Sequence, residues 1–153
     1  MSDNTETAIL AGGCFWPTQQ LLRSREGIIS TRVGYTGGEN DNPTDEDHPG
    51  HAEAVEVIFD PMRLSYRVLI RYFLQMHRND LAKELVGSGY RSEIFCATDK
   101  QRQIAEETIA EAAAAGIFPG KIVTAISAAG TFWEAPVEDQ DYLQRYPIGH
   151  RFL

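Results

Sequence analysis

TAILAGGCFWPTQQLL, residues 7–22, sets an apolar run, a double glycine and the start of a helical pattern in immediate succession. TAILAG (7–12) reads as a short apolar strand. Phe15 to Arg25 then carries Leu21 and Leu22 on a helical face, with Pro17 acceptable in a first turn. Gly12 and Gly13 permit the sharp turn and close backbone approach that such a junction needs. A strand feeding a helix in this way opens a mixed α/β or α+β domain.

Outward from that stretch the alternation continues. IISTRVGY (28–35) alternates as a strand and stops at Gly37-Gly38, and HAEAVEVIFD (51–60) is a second alternating strand ended by Asp60-Pro61. Ser65 to His77 places Leu69, Tyr72, Phe73 and Met76 at helical spacing. SEIFCA (92–97) is strand-like, Asp99 caps an alanine-rich helix to about Ala115, and Gly116 stops it. KIVTAIS (121–127) is a further strand, and Glu138 to Tyr146 a final short helix. No repeat or flexible linker interrupts the pattern, so residues 1–153 are expected to form one domain of two layers. Whether the strands pair parallel or antiparallel stays open.

The balance of 14 basic against 22 acidic residues, a net charge of -8, argues against nucleic acid or an anionic membrane surface as a partner. No apolar run approaches a membrane span, and MSDNTETAIL lacks a basic leader with a cleavable apolar stretch, so a cytoplasmic location is expected. Two cysteines, Cys14 and Cys96, are too few for a secreted disulfide framework, and no Cys/His spacing points to a metal.

A cysteine between a strand and a helix feels the unpaired amides and partial positive charge of the helix N-terminus, which favours thiolate over thiol. Cys14 is therefore expected to be an ionised nucleophile. Phe15 and Trp16 cannot both face the core from one short turn, so at least one is expected to line a cavity beside the sulfur. In HAEAVEVIFD, the period of two puts His51, Glu53, Val55, Val57 and Phe59 on one strand face. A carboxylate at the end of that apolar row has its pKa raised by burial, which suits Glu53 to donate a proton near neutral pH. His51 reads as structural.

Six ordered segments, GCFW (13–16), GYTGG (34–38), NPT (42–44), GHAEAV (50–55), YRSEIF (90–95) and QDYLQRYP (140–147), resemble those of the peptide methionine sulfoxide reductases of the A type. The resemblance covers nearly the whole chain. It implies a ferredoxin-like two-layer sandwich with a mixed central sheet, and reduction of the S epimer of methionine sulfoxide, free or in oxidised proteins. It implies no bound cofactor, only an external thiol reductant: thioredoxin, or a small thiol such as mycothiol or glutathione. Carried over by position, Cys14 is the nucleophile, Phe15 and Trp16 hold the S-methyl group, Glu53 protonates the sulfoxide oxygen, and Tyr90 is a hydrogen-bonding partner. Attack leaves a sulfenic acid on Cys14 that a second thiol must restore.

The chain departs from that pattern in places. Asp45 stands in the substrate-binding position after NPT where the family often has a tyrosine, and an ionised carboxylate cannot donate. A charge there, about 6 Å from the sulfur at an effective dielectric near 20, is worth roughly 3 kcal/mol and about two units of thiol pKa. It is expected to raise the pKa of Glu53 as well. Leu85 replaces an aspartate, with Asp80 as a stand-in, and Gly89 leaves Tyr90 less firmly placed. The sequence ends in GHRFL without a further cysteine. Cys96 shares its strand face with Ile94, which puts it in the core while leaving it the one in-chain candidate for a resolving thiol; direct reduction by an external thiol is the expectation. Asp45 and Leu85 also leave open a sulfoxide-binding protein of weak turnover, and an activated Cys14 alone would suit a thiol peroxidase or redox sensor.

Overall fold

The computed structural model describes residues 4–77, 88–118 and 120–146. In chain order its elements are β1 (Glu6–Gly12), α1 (Phe15–Arg23), β2 (Ile28–Thr36), β3 (Ala52–Phe59), α2 (Tyr66–Met76), β4 (Ser92–Cys96), α3 (Asp99–Ala115), β5 (Ala125–Ala128), β6 (Phe132–Glu134), a 3-10 turn (Val137–Asp139) and α4 (Tyr142–Arg145). The strands form one mixed sheet in the order β5-β4-β1-β3-β2-β6. Every neighbouring pair is antiparallel except β4 with β5, which run parallel.

The alternation read from the sequence sorts side chains between the two sheet faces. On one face Leu10, Val33, Val55, Val57, Phe59 and Ile94 pack with Leu22 of α1, Leu69 and Phe73 of α2 and Ala105 of α3. Burying each of the larger side chains contributes roughly 1.5–3 kcal/mol of transfer free energy. On the other face Ile9, Ala11, Ala52, Ala54 and Phe95 form a smaller cluster against Phe132, with no helical residue among those described. Ser65 caps α2 by accepting the Val68 amide at 3.1 Å, and Gly116 ends α3 in the left-handed conformation.

Several boundaries differ from expectation. Thr98, not Asp99, caps α3: its hydroxyl accepts the Gln101 amide at 3.1 Å, and Asp99 sits in the first turn, where its charge suits the helix dipole. The strand expected at 121–127 begins only at Ala125, and α1 ends at Arg23 rather than Arg25. β6, three residues pairing with the edge of β2, was not anticipated. The expected final helix is two pieces. Gln140 turns its side chain back to bond the N–H and C=O of Val33 and the Ala135 carbonyl, and Asp141 adopts φ 58 while its amide donates to Gln19. An Arg23–Asp141 ion pair completes the seam, which fixes residues 137–146 against α1 and β2. Among the described residues no helix is long and apolar enough to cross a membrane.

Candidate active site

β1 and α1 are joined through two glycines, at one of which a side chain would be strained and at the other crowded. Gly13 holds φ +99, a conformation other residues rarely adopt. A Cβ on Gly12 would stand 2.9 Å from Cε1 of Phe73 and 3.2 Å from the His77 ring, so β1 can run this close to α2 only without a side chain there. Cys14 follows as the N-cap of α1, making no side-chain cap bond, while its carbonyl accepts the Thr18 hydroxyl at 3.0 Å. The sulfur is left available.

The thiol is nevertheless not ionised at rest, which corrects the expectation from its place in the chain. The Trp16 amide donates to the sulfur and lowers its pKa as a helix entrance should, but burial outweighs it, and the charges of Glu53 and Asp139 push the same way. The result is a thiol pKa raised to about 11. Asp45 is therefore not needed to account for the rise; the carboxylates that produce it are Glu53, which hydrogen-bonds the thiol, and Asp139.

Glu53 is only 4% exposed, on the same face of β3 as Val55, Val57 and Phe59. Its amide donates to the Gly89 carbonyl at 2.9 Å and its Oε1 accepts the Phe15 amide at 3.1 Å. Burial is the main reason its pKa is raised. The Phe15 bond and His48 oppose the rise, while Asp45 and Asp139 add to it, so the expected direction holds. Asp45 itself is exposed in a tight turn in which the Thr44 and Asp47 amides and carbonyls pair reciprocally.

Tyr90 is 50% exposed, and its phenol pKa is raised first by Glu53, then by burial, Cys14 and Asp45, so it faces the thiol–carboxyl pair. Its turn is braced despite Gly89: the Tyr90 amide donates to Ser88 Oγ, and Arg91 donates to the carbonyls of Ser88 (2.9 Å) and Gly50 (3.1 Å) and to Glu93 Oε1 (2.7 Å). The two aromatics divide their tasks. Phe15 is 3% exposed and tilts against Tyr35 at 5.6 Å within the core, whereas Trp16 is half-buried, stacked on Tyr142 at 3.7 Å with its indole N–H on Asp139 Oδ1 at 3.1 Å.

Cys96 is buried, and its position corrects the resolving role. It lies one residue beyond Phe95, which pairs with Ile9, whereas Cys14 comes two residues after Gly12, which pairs with Ser92. Four strand positions span about 13 Å, against a disulfide limit near 7 Å between Cα atoms. His51 is structural as expected, its Nδ1 accepting the Gly38 amide and its Nε2 bonding the Asn40 carbonyl. Leu85, Asp80 and the GHRFL end lie outside the described residues. No group of three or more His, Cys, Asp or Glu among the described residues is placed to hold a metal.

Sequence reasoning missed Tyr35, His48 and Asp139. Tyr35 pairs with Glu53 across β2 and β3, its ring is buried against His48, and its hydroxyl has no partner in the described structure. The strand alternation marks Tyr35 as inward-facing, but only the register sets it beside Glu53. Asp139 has no local signal at all.

A family described as peptide methionine sulfoxide reductase matches residues 6–152. A curated relative from Mycolicibacterium vanbaalenii, a peptide methionine sulfoxide reductase MsrA, is 54% identical over 154 residues, 98% of this chain and 90% of that protein. One of the same name from Nocardia farcinica is 54% identical, covering 96% and 88%. Among solved structures, methionine sulfoxide reductase A of Corynebacterium diphtheriae superposes with a TM-score of 0.78 at 30% identity, over 97% of this chain and 78% of that one. Mxr1 from Saccharomyces cerevisiae in reduced form gives 0.85 at 25% identity, over 95% and 88%.

Proposed function

The chain belongs to the peptide methionine sulfoxide reductase family, an oxidoreductase that reduces methionine sulfoxide with thiols, and on that premise we propose how its residues divide the reaction. The methyl group of an S-epimer sulfoxide, free or in a protein, rests against Trp16, with Phe15 behind it. Its oxygen lies between the Glu53 carboxyl and the Tyr90 hydroxyl. Glu53 gives its proton to that oxygen while accepting the thiol proton of Cys14, and the Cys14 sulfur attacks the substrate sulfur. The oxygen passes to Cys14 as a hydroxyl, leaving a sulfenic acid, and the thioether departs: one sulfur is oxidised by two electrons and the other reduced by two. One external thiol then displaces water to form a mixed disulfide, and a second releases Cys14. Thioredoxin or a low-molecular-weight thiol fills that role.

The observation that carries this reading is the hydrogen-bonded contact between a protonated thiol and a carboxyl whose own pKa is raised by burial. A carboxyl whose pKa is raised in this way holds its proton to higher pH than an ordinary one, and it can accept the thiol proton as it donates its own. Capture of sulfoxides without turnover is not favoured: Asp45 raises the pKa of Glu53, as expected of it, and is not among the groups that raise the Cys14 thiol. The reading extends to the frame: residues 1–153 as one domain, with β1-α1-β2-β3-α2-β4 and strand order β4-β1-β3-β2 as a ferredoxin-like two-layer sandwich. A cytoplasmic location, and the absence of nucleic-acid or membrane partners, fit the acidic balance.

Single-turnover methionine release without reductant tests it. About one equivalent per Cys14 is expected from the S epimer and none from the R epimer or from Cys14→Ser. Equal release from both epimers, or release from the serine variant, overturns the assignment.

A further inference from the structure

The turn between β3 and α2 presents a thioether to solvent. Met62 is 84% exposed, more than any other large apolar side chain among the described residues. Its backbone does not share that freedom. The Met62 amide donates to Asp60 Oδ1 at 2.9 Å, the Arg63 and Leu64 amides donate to the Asp60 carbonyl, and the Asp60 amide donates to the Gly27 carbonyl at 2.9 Å. Leu64, buried in the core, ties the turn down from its other side. Of the three methionines in the chain, Met76 is packed partly buried against the core and Met1 lies outside the described residues. Oxidation follows exposure, and a thioether already in water gains an oxygen without disrupting the core.

Met62 and Cys14 stand at opposite ends of the sheet. Glu6, at the start of β1, pairs with Phe59, three residues before Met62, whereas Cys14 comes two residues after Gly12 at the end of β1. The six steps from Glu6 to Gly12 span about 20 Å. The bond from Asp60 to Gly27, just before β2, keeps the turn at the far end. Met62 therefore cannot reach the nucleophile of its own chain. The site of a second copy is open to it, since Trp16 and Tyr90 are each partly exposed.

We propose that Met62 is an oxidation site of this chain and that the chain is its own substrate in trans, the S-sulfoxide of Met62 in one copy being reduced at Cys14 of another. The inference rests on the reading of Cys14 as the nucleophile of a methionine sulfoxide reductase. Hydrogen peroxide transfers one oxygen atom to the Met62 sulfur and leaves as water, so the thioether loses two electrons. The second copy's Cys14 takes that oxygen as a sulfenic acid and returns the thioether. One external thiol then expels the oxygen as water, and a second releases Cys14 as the thiols leave as a disulfide. The R epimer, which one reductase of this kind does not accept, stays on the turn as a record of past oxidation.

The Cys14→Ser variant, oxidised with hydrogen peroxide, supplies Met62 sulfoxide on a chain without a nucleophile. It is mixed with a catalytic amount of unmodified protein and dithiothreitol, and the Met62 peptide is followed by mass spectrometry for loss of one oxygen. About half of the Met62 sulfoxide is expected to return to methionine, because an achiral oxidant gives both epimers at an exposed sulfur and one is reduced. No return, while free S-methionine sulfoxide is reduced in the same tube, overturns the proposal; so does return without the unmodified protein. If the free sulfoxide is not reduced either, it is the functional reading that fails, and the proposal falls with it. The oxidised Cys14→Ser chain should also compete with the free sulfoxide, and the same chain carrying Met62→Leu should not. Equal competition by both moves the reaction to another residue and overturns the assignment to Met62.

Discussion

Glu53→Gln should move two measurements of the same sulfur in opposite directions. Glutamine keeps the size of the side chain and an oxygen for the Phe15 amide, but removes the proton that the neutral acid transfers and, at a pH where the carboxyl is ionised, the negative charge against Cys14. Burial, the largest cause of the thiol's rise to about 11, stays in the variant, so only the share due to the charge is removed, about one pKa unit. At pH 8 the thiolate fraction then rises from about 0.1% to about 1%, and iodoacetamide labelling of Cys14 is expected to accelerate roughly tenfold. Sulfoxide reduction should fall instead, by the roughly 100- to 10,000-fold that a positioned general acid supplies. Labelling and single-turnover methionine release are measured on one preparation. Parallel falls in both, or labelling that does not change, would refute the contact between Glu53 and the sulfur.

Because burial raises the pKa of Glu53 in the fold, the native state binds its proton more tightly than the unfolded chain does. Stability is therefore expected to be lost as pH rises from the ordinary carboxyl range through the raised Glu53 value, and Glu53→Gln should remove that part of the slope in urea titrations; an identical slope in the variant contradicts the direction. The rate of methionine release should fall over the same window as the acid loses its proton. Tyr35→Phe deletes a buried hydroxyl that has no partner in the described structure, so a gain of about 1 kcal/mol in unfolding free energy is expected; a loss of that size would reveal a partner. Glu93→Ala strands Arg91, which with Glu93 is largely buried, and should cost about 3 kcal/mol and raise KM by loosening the Tyr90 turn. A KM unchanged at a temperature where the variant is folded would separate that ion pair from the site.

Much of this arrangement is legible along the chain because its causes are local. The alternation in HAEAVEVIFD assigns Glu53 to the face of Val55 and Val57 before any pairing is known, and the double glycine marks the junction at Cys14. What escapes is set by register or distance. Three residues of β6 are too few to carry a period, and the break at Gln140-Asp141 is imposed by Val33 and Gln19 rather than by the segment itself. The protonation of Cys14 escapes for a related reason: the helix entrance is visible in the sequence, whereas the burial that outweighs it is a property of the assembled fold. Asp139 gives no hint of its place until Gln140 is seen to anchor the turn.

The wall of the site is closed by a segment made long after the nucleophile. A ribosome adding about 5–20 residues per second completes Tyr142 on the order of ten seconds after Cys14. In that interval the nascent thiol has neither Asp139 nor the stacked ring that steadies Trp16. Translation thus makes the docking of residues 137–146 the step that completes the wall of the site, and a newly made chain stalled before it carries Trp16 without the partners that hold its ring.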